Sequence, residues 1–296
     1  MADSPNAGAV APANEEAVRA WDTVLYERWK QNREVFVGAL DEVTEEAFSM
    51  VPPPEGGRCI DIGCGFGETT RRMAELVGPS GFVLGTDSSP HFIEDARAEA
   101  AEAGVSNVEF EVSDAQTAEW DQSFDLAFSR MGTQFFAAPV PAMRAIRRSL
   151  KPGGRLAKIC WCRKDESPIW SETEQVVQEF LTRPEEYDAD TCGPGPFSLG
   201  NPETCRGILE AAGFDEVELR RHDFDYYMGA DMDEAIDALL AIGPGAELIR
   251  LNGEHGESHR PEIAEALARR FGPWETGDGT IVGRAAVWLV AATNPG

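Results

Sequence analysis

The chain has 296 residues, 42 % hydrophobic and 26 % charged, the proportions of a folded protein with room for one large domain or two small ones. Its 52 acidic residues against 26 basic ones give a formal net charge of −26, a field that repels phosphate backbones and anionic lipid and so argues against a nucleic-acid or membrane-surface partner. Residues 285–292 form the longest apolar run, far short of the ~20 needed to cross a bilayer, and the start of the chain lacks the basic and apolar regions of an export signal.

Residues 1–13, small and polar, read as a disordered tail. Residues 14–54 read as an N-terminal helical cap segment. Ala17, Trp21, Val24, Leu25 and Trp29 recur at steps of three and four on one face, and Pro52-Pro53-Pro54 ends the segment because proline lacks the donor a continuing helix needs. From Arg58 the rhythm alternates. CIDIG is a strand, 69–78 a helix ending at Gly78, FVLGTD a strand, and 91–104 a helix ending at Gly104. VEFEVSD and FDLAFSR are strands, 141–150 is a helix stopped by Lys151-Pro152-Gly153-Gly154, and RLAKICW is a strand. Ser171-x-x-Glu174 has the form of a capping box opening a helix through Leu181. A Gly/Pro-rich loop over 192–202 leads to a short helix closing at Gly213, and 216–227 alternates as a strand. Residues 231–271 are helical with breaks at Gly243-Pro244-Gly245 and Asn252-Gly253, and 280–291 is the last strand. Strands alternating with amphipathic helices imply a doubly wound α/β fold with a mostly parallel sheet.

The sharpest motif is Asp61-Ile-Gly63-Cys64-Gly65-Phe-Gly67-Glu68, directly after a strand and opening a helix. Its glycines let the backbone turn tightly and approach a ligand. The third glycine comes one residue too early for a dinucleotide fingerprint, and no P-loop lysine follows. Asp61 and Glu68 flank the loop with negative charge, which suits a nucleoside ligand that carries positive charge.

D-x-G-x-G-x-G resembles motif I of the class I S-adenosylmethionine-dependent methyltransferases. Gly85-Thr86-Asp87-Ser88-Ser89, Ser113-Asp114-Ala115-Gln116, the strand ending in Arg130 and the turn Lys151-Pro152-Gly153-Gly154 resemble the family's later blocks in the right order. Within the family the chain looks most like the methyltransferase type 11 group. The resemblance implies a Rossmann-like seven-stranded sheet. It also implies roles: Gly63, Cys64, Gly65 and Gly67 around the methionine part of S-adenosylmethionine, Asp61 at its amino end, Asp87 with Ser88 at the ribose hydroxyls, and Asp114 with Ala115 at the adenine. Arg130 falls where the family holds the methionine moiety through backbone groups, and an ion pair is the alternative for its side chain. The product would be S-adenosylhomocysteine.

A sulfonium donor is already activated, so a general base is needed only where the acceptor must lose a proton. The sequence assigns no catalytic residue. His91 reads as a surface or capping residue, and His222 as exposed or satisfied within the core. Cys160 and Cys162 share a strand face and read as buried packing, with the cysteines expected reduced in a cytoplasmic protein. His255-Gly-Glu-Ser-His259 has metal-helix spacing, but its glutamate is misplaced and the glycines and Pro261 argue for a polar loop. Asp231-Met-Asp233-Glu234 reads as acids at a helix N-terminus. No metal is expected. Trp21, Tyr26, Trp29, Gln134, Phe135, Trp161 and Trp274 are the candidates for an apolar acceptor pocket at the carboxyl ends of the strands. The expectation is a core over 55–227, a helical cap insertion over 228–276 and a last strand within 277–296. The chain would methylate a small, hydrophobic or aromatic acceptor at O, N or C, as a monomer or homodimer. A rearrangement that keeps the cofactor as a structural element, and cofactor binding without catalysis, are the alternatives.

Overall fold

The computed structural model describes Val10, 12–184 and 194–296. Most of the expected tail and the start of the 192–202 loop lie outside these residues. The chain opens with α1 (Glu15–Trp21), α2 (Val24–Gln31), α3 (Arg33–Phe36) and α4 (Asp41–Met50). There follow β1 (Arg58–Ile62), α5 (Glu68–Val77), β2 (Phe82–Asp87), α6 (Pro90–Glu102), β3 (Val108–Val112), β4 (Phe124–Arg130), α7 (Pro139–Ser149) and β5 (Leu150–Trp161). The second half holds α8 (Pro168–Gln178), α9 (Pro202–Ala212), β6 (Asp215–Gly229), α10 (Met232–Ala241), α11 (Pro244–Leu251), α12 (Gly253–Phe271) and β7 (Ile281–Thr293).

The strands form one seven-stranded sheet in the order β3-β2-β1-β4-β5-β7-β6. The first five are parallel, and β7 runs antiparallel between β5 and β6. This is the doubly wound, mostly parallel sheet that the alternation implies. Cys59, Ile60, Asp61 and Ile62 of β1 are all buried, as a central strand covered on both faces requires. One face packs on α4, α5, α8 and α10–α12 through residues such as Phe48, Met73, Val176 and Leu267, and the other on α7 and α9 through Met143, Ile146 and Leu209. The strand order reverses between β1 and β4, and ligands bind at such a switch point in open α/β sheets.

Local chemistry sets the helix starts. Ser89 caps α6 ahead of Pro90, Asn201 accepts from Glu203 N and Thr204 N ahead of Pro202, and Asp231 accepts from Glu234 N at 2.9 Å. Three expectations are corrected. The N-terminal stripe is broken into α1, α2 and α3 at Asp22-Thr23 and Asn32, so the segment bends instead of running straight. The Ser171-x-x-Glu174 box does not open its helix. Pro168, already fixed in helical φ, starts α8 one turn earlier, while Ser171 Oγ donates back to Ser167 O and the buried Glu174 pairs with Lys164 at 2.6 Å. His255 and His259 lie inside α12, not in a loop, and His259 Nδ1 sits 2.9 Å from His255 O. A proline inside a helix costs about 3 kcal/mol. Burial of Ile263, Ala266, Leu267 and Phe271 on the same helix offsets it at about 1.5–3 kcal/mol for each large side chain. Among the described residues no helix is long and apolar enough to cross a membrane.

Candidate active site

The carboxyl ends of β1, β2, β4 and β5 open into a cavity of about 550 Å³. Its floor is the loop from Ile62 to Phe66. Gly63 N and Cys64 N both donate to Thr86 O, at 2.8 and 2.9 Å, which folds the loop back over β2. Two glycines are dictated by space. Gly63 has φ +70° and a Cβ there would stand 3.0 Å from Gly132 Cα, while Gly67 has φ +78° and a Cβ would press on the Phe110 ring at 2.8 Å. On the facing strand end Met131 adopts φ +62°, a conformation that costs of order 1–3 kcal/mol outside glycine and clusters at functional sites.

Asp61 is fully buried at the end of β1. Its Oδ2 accepts from Thr69 Oγ1 at 2.6 Å and Thr70 Oγ1 at 2.7 Å, while Oδ1 has no partner. Burial pushes the carboxyl up to about 6, against the lowering effect of the two threonines and the charge of Arg130. Asp87 ends β2 with Oδ2 accepting from Gly65 N and Oδ1 from Ser89 N, both at 3.0 Å, and burial raises its pKa as well. Asp87 and Ser88 border the cavity, as do Asp114 and Ala115. Asp114 accepts from Gln116 N at 2.9 Å and from Asn14 Nδ2 at 3.1 Å, so a residue from the start of the chain reaches the position that the resemblance assigns to adenine. Asn14 Oδ1 is buried without a partner. The Arg130 side chain makes the ion pair that the sequence left as its alternative, through Nη1 to Asp41 Oδ1 at 3.2 Å.

Away from the glycine loop the cavity wall turns aromatic. Trp21 packs edge-on to Trp29 at 5.4 Å and to Phe135 at 4.9 Å, and Trp161 stands against Trp170 at 5.6 Å and Tyr226 at 6.0 Å. Of the sequence candidates, Trp21, Trp29, Gln134, Phe135 and Trp161 line the cavity. Tyr26 and Trp274 do not. Tyr26 follows the cavity-facing Leu25 by one residue, about 100° around α2, so its hydroxyl turns to Asp95 on α6 at 2.7 Å. Trp274 folds onto Phe271 at 4.4 Å, beside β7. Sequence reasoning expected the N-terminal segment and the 228–276 insertion to cap the pocket but did not name Asn14, Phe36, Val37, Leu40 or the lining residues between Ile242 and Leu251. The break at Gly243-Pro244 was a signal for the last of these, since it turns the chain inward where Gly243 meets the Trp170 ring.

The N-terminal helices are fastened on both sides. Asp22 accepts from Ser89 Oγ at 2.7 Å and pairs with His91 Nδ1 at 2.9 Å. Lys30 pairs with Asp95 at 2.8 Å, and Arg33 bridges Glu68 and Glu99. On the other side Arg28 Nη1 donates to Ala241 O at 3.0 Å, and Tyr226 Oη to Val35 O at 2.6 Å. Cys160 and Cys162 are both buried, and His222 is half-buried against the Phe224 ring. Among the described residues no group of three histidines, cysteines or acids is arranged to hold a metal ion.

The chain matches the family described as a methyltransferase domain over residues 54–193. Aklanonic acid methyltransferase DauC of Streptomyces sp. strain C5 is 41 % identical over 106 residues, which are 36 % of this chain and 48 % of that protein. Nocamycin O-methyltransferase of Saccharothrix syringae is 30 % identical over 204 residues, 66 % of this chain and 71 % of that protein. The match thus spans about half the length of the first relative and seven tenths of the second. Among solved structures, that of the cyclase SpnF has a TM-score of 0.58 at 20 % identity and covers 98 % of this chain and all of that one, a likeness of fold alone.

Proposed function

Because the chain belongs to the class I S-adenosylmethionine-dependent methyltransferases, we propose that it transfers a methyl group from that cofactor to a small, hydrophobic or aromatic acceptor. The observation that carries the reading is one cavity with two unlike halves, an acidic glycine loop at one end and a cluster of aromatic rings at the other. The residues present fit the donor. Asp61 Oδ1 is a buried carboxylate oxygen with no partner, behind the cavity lining and directly ahead of the lining residues Ile62 and Gly63, and suited to accept from an ammonium. Asp87, braced by Gly65 N and Ser89 N, keeps acceptor capacity for a ribose diol, and Gly63 and Gly65 border the cavity without side chains to fill it.

The bound cofactor supplies a methyl group already activated on a sulfonium. What the chain adds is alignment and dryness. The glycine loop lets backbone approach the donor, the N-terminal helices and α11 cover the cavity, and the faces of Trp21, Phe135 and Trp161 offer π surface to a cation and to a flat acceptor. The two relatives are named for aklanonic acid and nocamycin, and the second for O-methylation, so an oxygen is the first acceptor atom to test.

The test incubates the protein with S-adenosylmethionine and a panel of aromatic acids, phenols and amines, following both S-adenosylhomocysteine and acceptor mass. The expected result is acceptor-dependent S-adenosylhomocysteine with a product one methylene heavier. An acceptor isomerised at unchanged mass, with the cofactor unconsumed, would replace this reading by the rearrangement.

A further inference from the structure

We propose that Arg130 is the anion anchor of the aromatic half of the cavity and selects an acceptor that carries a carboxylate on its flat apolar body. The proposal rests on the methyl-transfer reading.

Arg130 ends β4 and faces the cavity with a side chain only 9 % exposed. Among the described residues that line the cavity it is the one cation. Its one ion pair among the described residues is with an exposed partner. Nη1 meets Asp41 Oδ1 at 3.2 Å and Thr44 Oγ1 at 3.1 Å, and Asp41 itself is 73 % exposed, where water screens its charge. A guanidinium has five N–H donors in a rigid fork. Nε and Nη2 make no hydrogen bond among the described residues, yet neither is a donor sealed inside protein, so both remain presentable to a ligand.

The backbone holds this fork in place. Met131 takes φ +62°, and Gly132 is pressed against Gly63 so closely that a Cβ on it would stand 3.1 Å from Gly63 Cα. Strain of this kind persists only where the surroundings over-determine the turn. The charge of Arg130 reaches the buried Asp61 of the neighbouring strand, while its hydrogen-bond partners Asp41 and Thr44 lie on the first turn of α4, which begins directly after Leu40 of the aromatic half. A planar carboxylate matches a guanidinium edge with two parallel bonds, and the ring that bears it would lie among Phe36, Trp161 and Tyr226.

The experiment measures binding of anthraquinone-2-carboxylate and of the corresponding uncharged carboxamide to the full chain saturated with S-adenosylhomocysteine. The wild type should prefer the acid, and Arg130→Gln should weaken the acid by roughly 10- to 100-fold while leaving the amide unchanged. Arg130→Lys, which keeps the charge but loses the fork, should retain part of the preference. S-adenosylhomocysteine and 5′-methylthioadenosine, which lacks the amino-acid end, are titrated against each variant without acceptor. If Arg130→Gln weakens S-adenosylhomocysteine selectively and leaves the acid-to-amide ratio intact, the guanidinium serves the cofactor's carboxylate and the proposal is overturned. A wild type that binds neither cofactor compound overturns the methyl-transfer reading itself, an outcome distinct from an acceptor preference that fails to appear.

Discussion

A carboxylate as deeply buried as Asp61, with Oδ2 held by Thr69 and Thr70 and Oδ1 held by nothing, ionises near pH 6, well above the ordinary 3.8. Because its folded-state pKa is raised, the group favours the fold most below its unfolded pKa. That contribution is lost as pH rises through about 6. An ammonium placed against Oδ1 reverses the preference, since it binds the ionised form. The affinity for S-adenosylhomocysteine should therefore climb between about pH 5 and pH 7.5, and binding near pH 6 should release a proton. Asp61→Asn should flatten the profile. Calorimetry in buffers of different ionisation enthalpy checks both, and a pH-independent affinity in the wild type would remove Asp61 from the amino end. The position of this acid was legible because a motif fixes it just ahead of the loop glycines. Its perturbed ionisation was not, because that depends on Thr69 and Thr70 folding back from the first turn of α5.

At the scale of elements, local signals located the strands and the breaks at Gly243 and Asn252, and they failed where packing overrode them. Local propensity ends a helix at Pro261, yet α12 continues through it because Ile263, Leu267 and Phe271 bury on one side. Tyr26 and Leu25 are adjacent in sequence and face different partners, a distinction that needs the phase of a helix whose start at Val24 no motif announces. The N-terminal helices span the cavity yet are fastened mainly by exposed or half-exposed pairs, His91–Asp22 and Lys30–Asp95 among them. The hydrogen bond that His91 donates to Asp22 raises the pKa of His91, so this pair contributes below the histidine's unfolded pKa and is lost as pH rises through its folded value. Such a segment opens more easily than the sheet beneath it. Hydrogen exchange in residues 14–36 should slow when S-adenosylhomocysteine binds, and the free protein's exchange there should quicken from about pH 6 to pH 8.5 beyond the intrinsic rate. Protection that appears in the glycine loop alone would make these helices permanent scaffold.

For the whole molecule the governing quantity is the net charge of −26, which composition alone provides and which the cavity repeats in miniature with Asp61, Asp87, Asp114, Glu68 and Glu247 around or beneath it. That the site lies at the carboxyl ends of the strands was legible from the glycine loop directly after the first strand. The charge balance inside it was not, because Arg130 and Asp41 are 89 residues apart and meet only after α4 has packed against β5. A field of one sign steers ligands according to their own charge, and salt removes it as the Debye length shrinks from ~30 Å at 0.01 M to ~8 Å at 0.15 M. S-adenosylmethionine carries a sulfonium, an ammonium and a carboxylate, one positive charge in sum, whereas S-adenosylhomocysteine has lost the sulfonium and is neutral. The association rate of the donor should therefore fall as salt is raised over that range, that of the product should change little, and an acceptor bearing a carboxylate should associate faster as the repulsion is screened. Stopped-flow measurement of tryptophan quenching reads all three. Equal salt slopes for S-adenosylmethionine and S-adenosylhomocysteine would mean that the acidic surface serves solubility alone and takes no part in choosing donor over product.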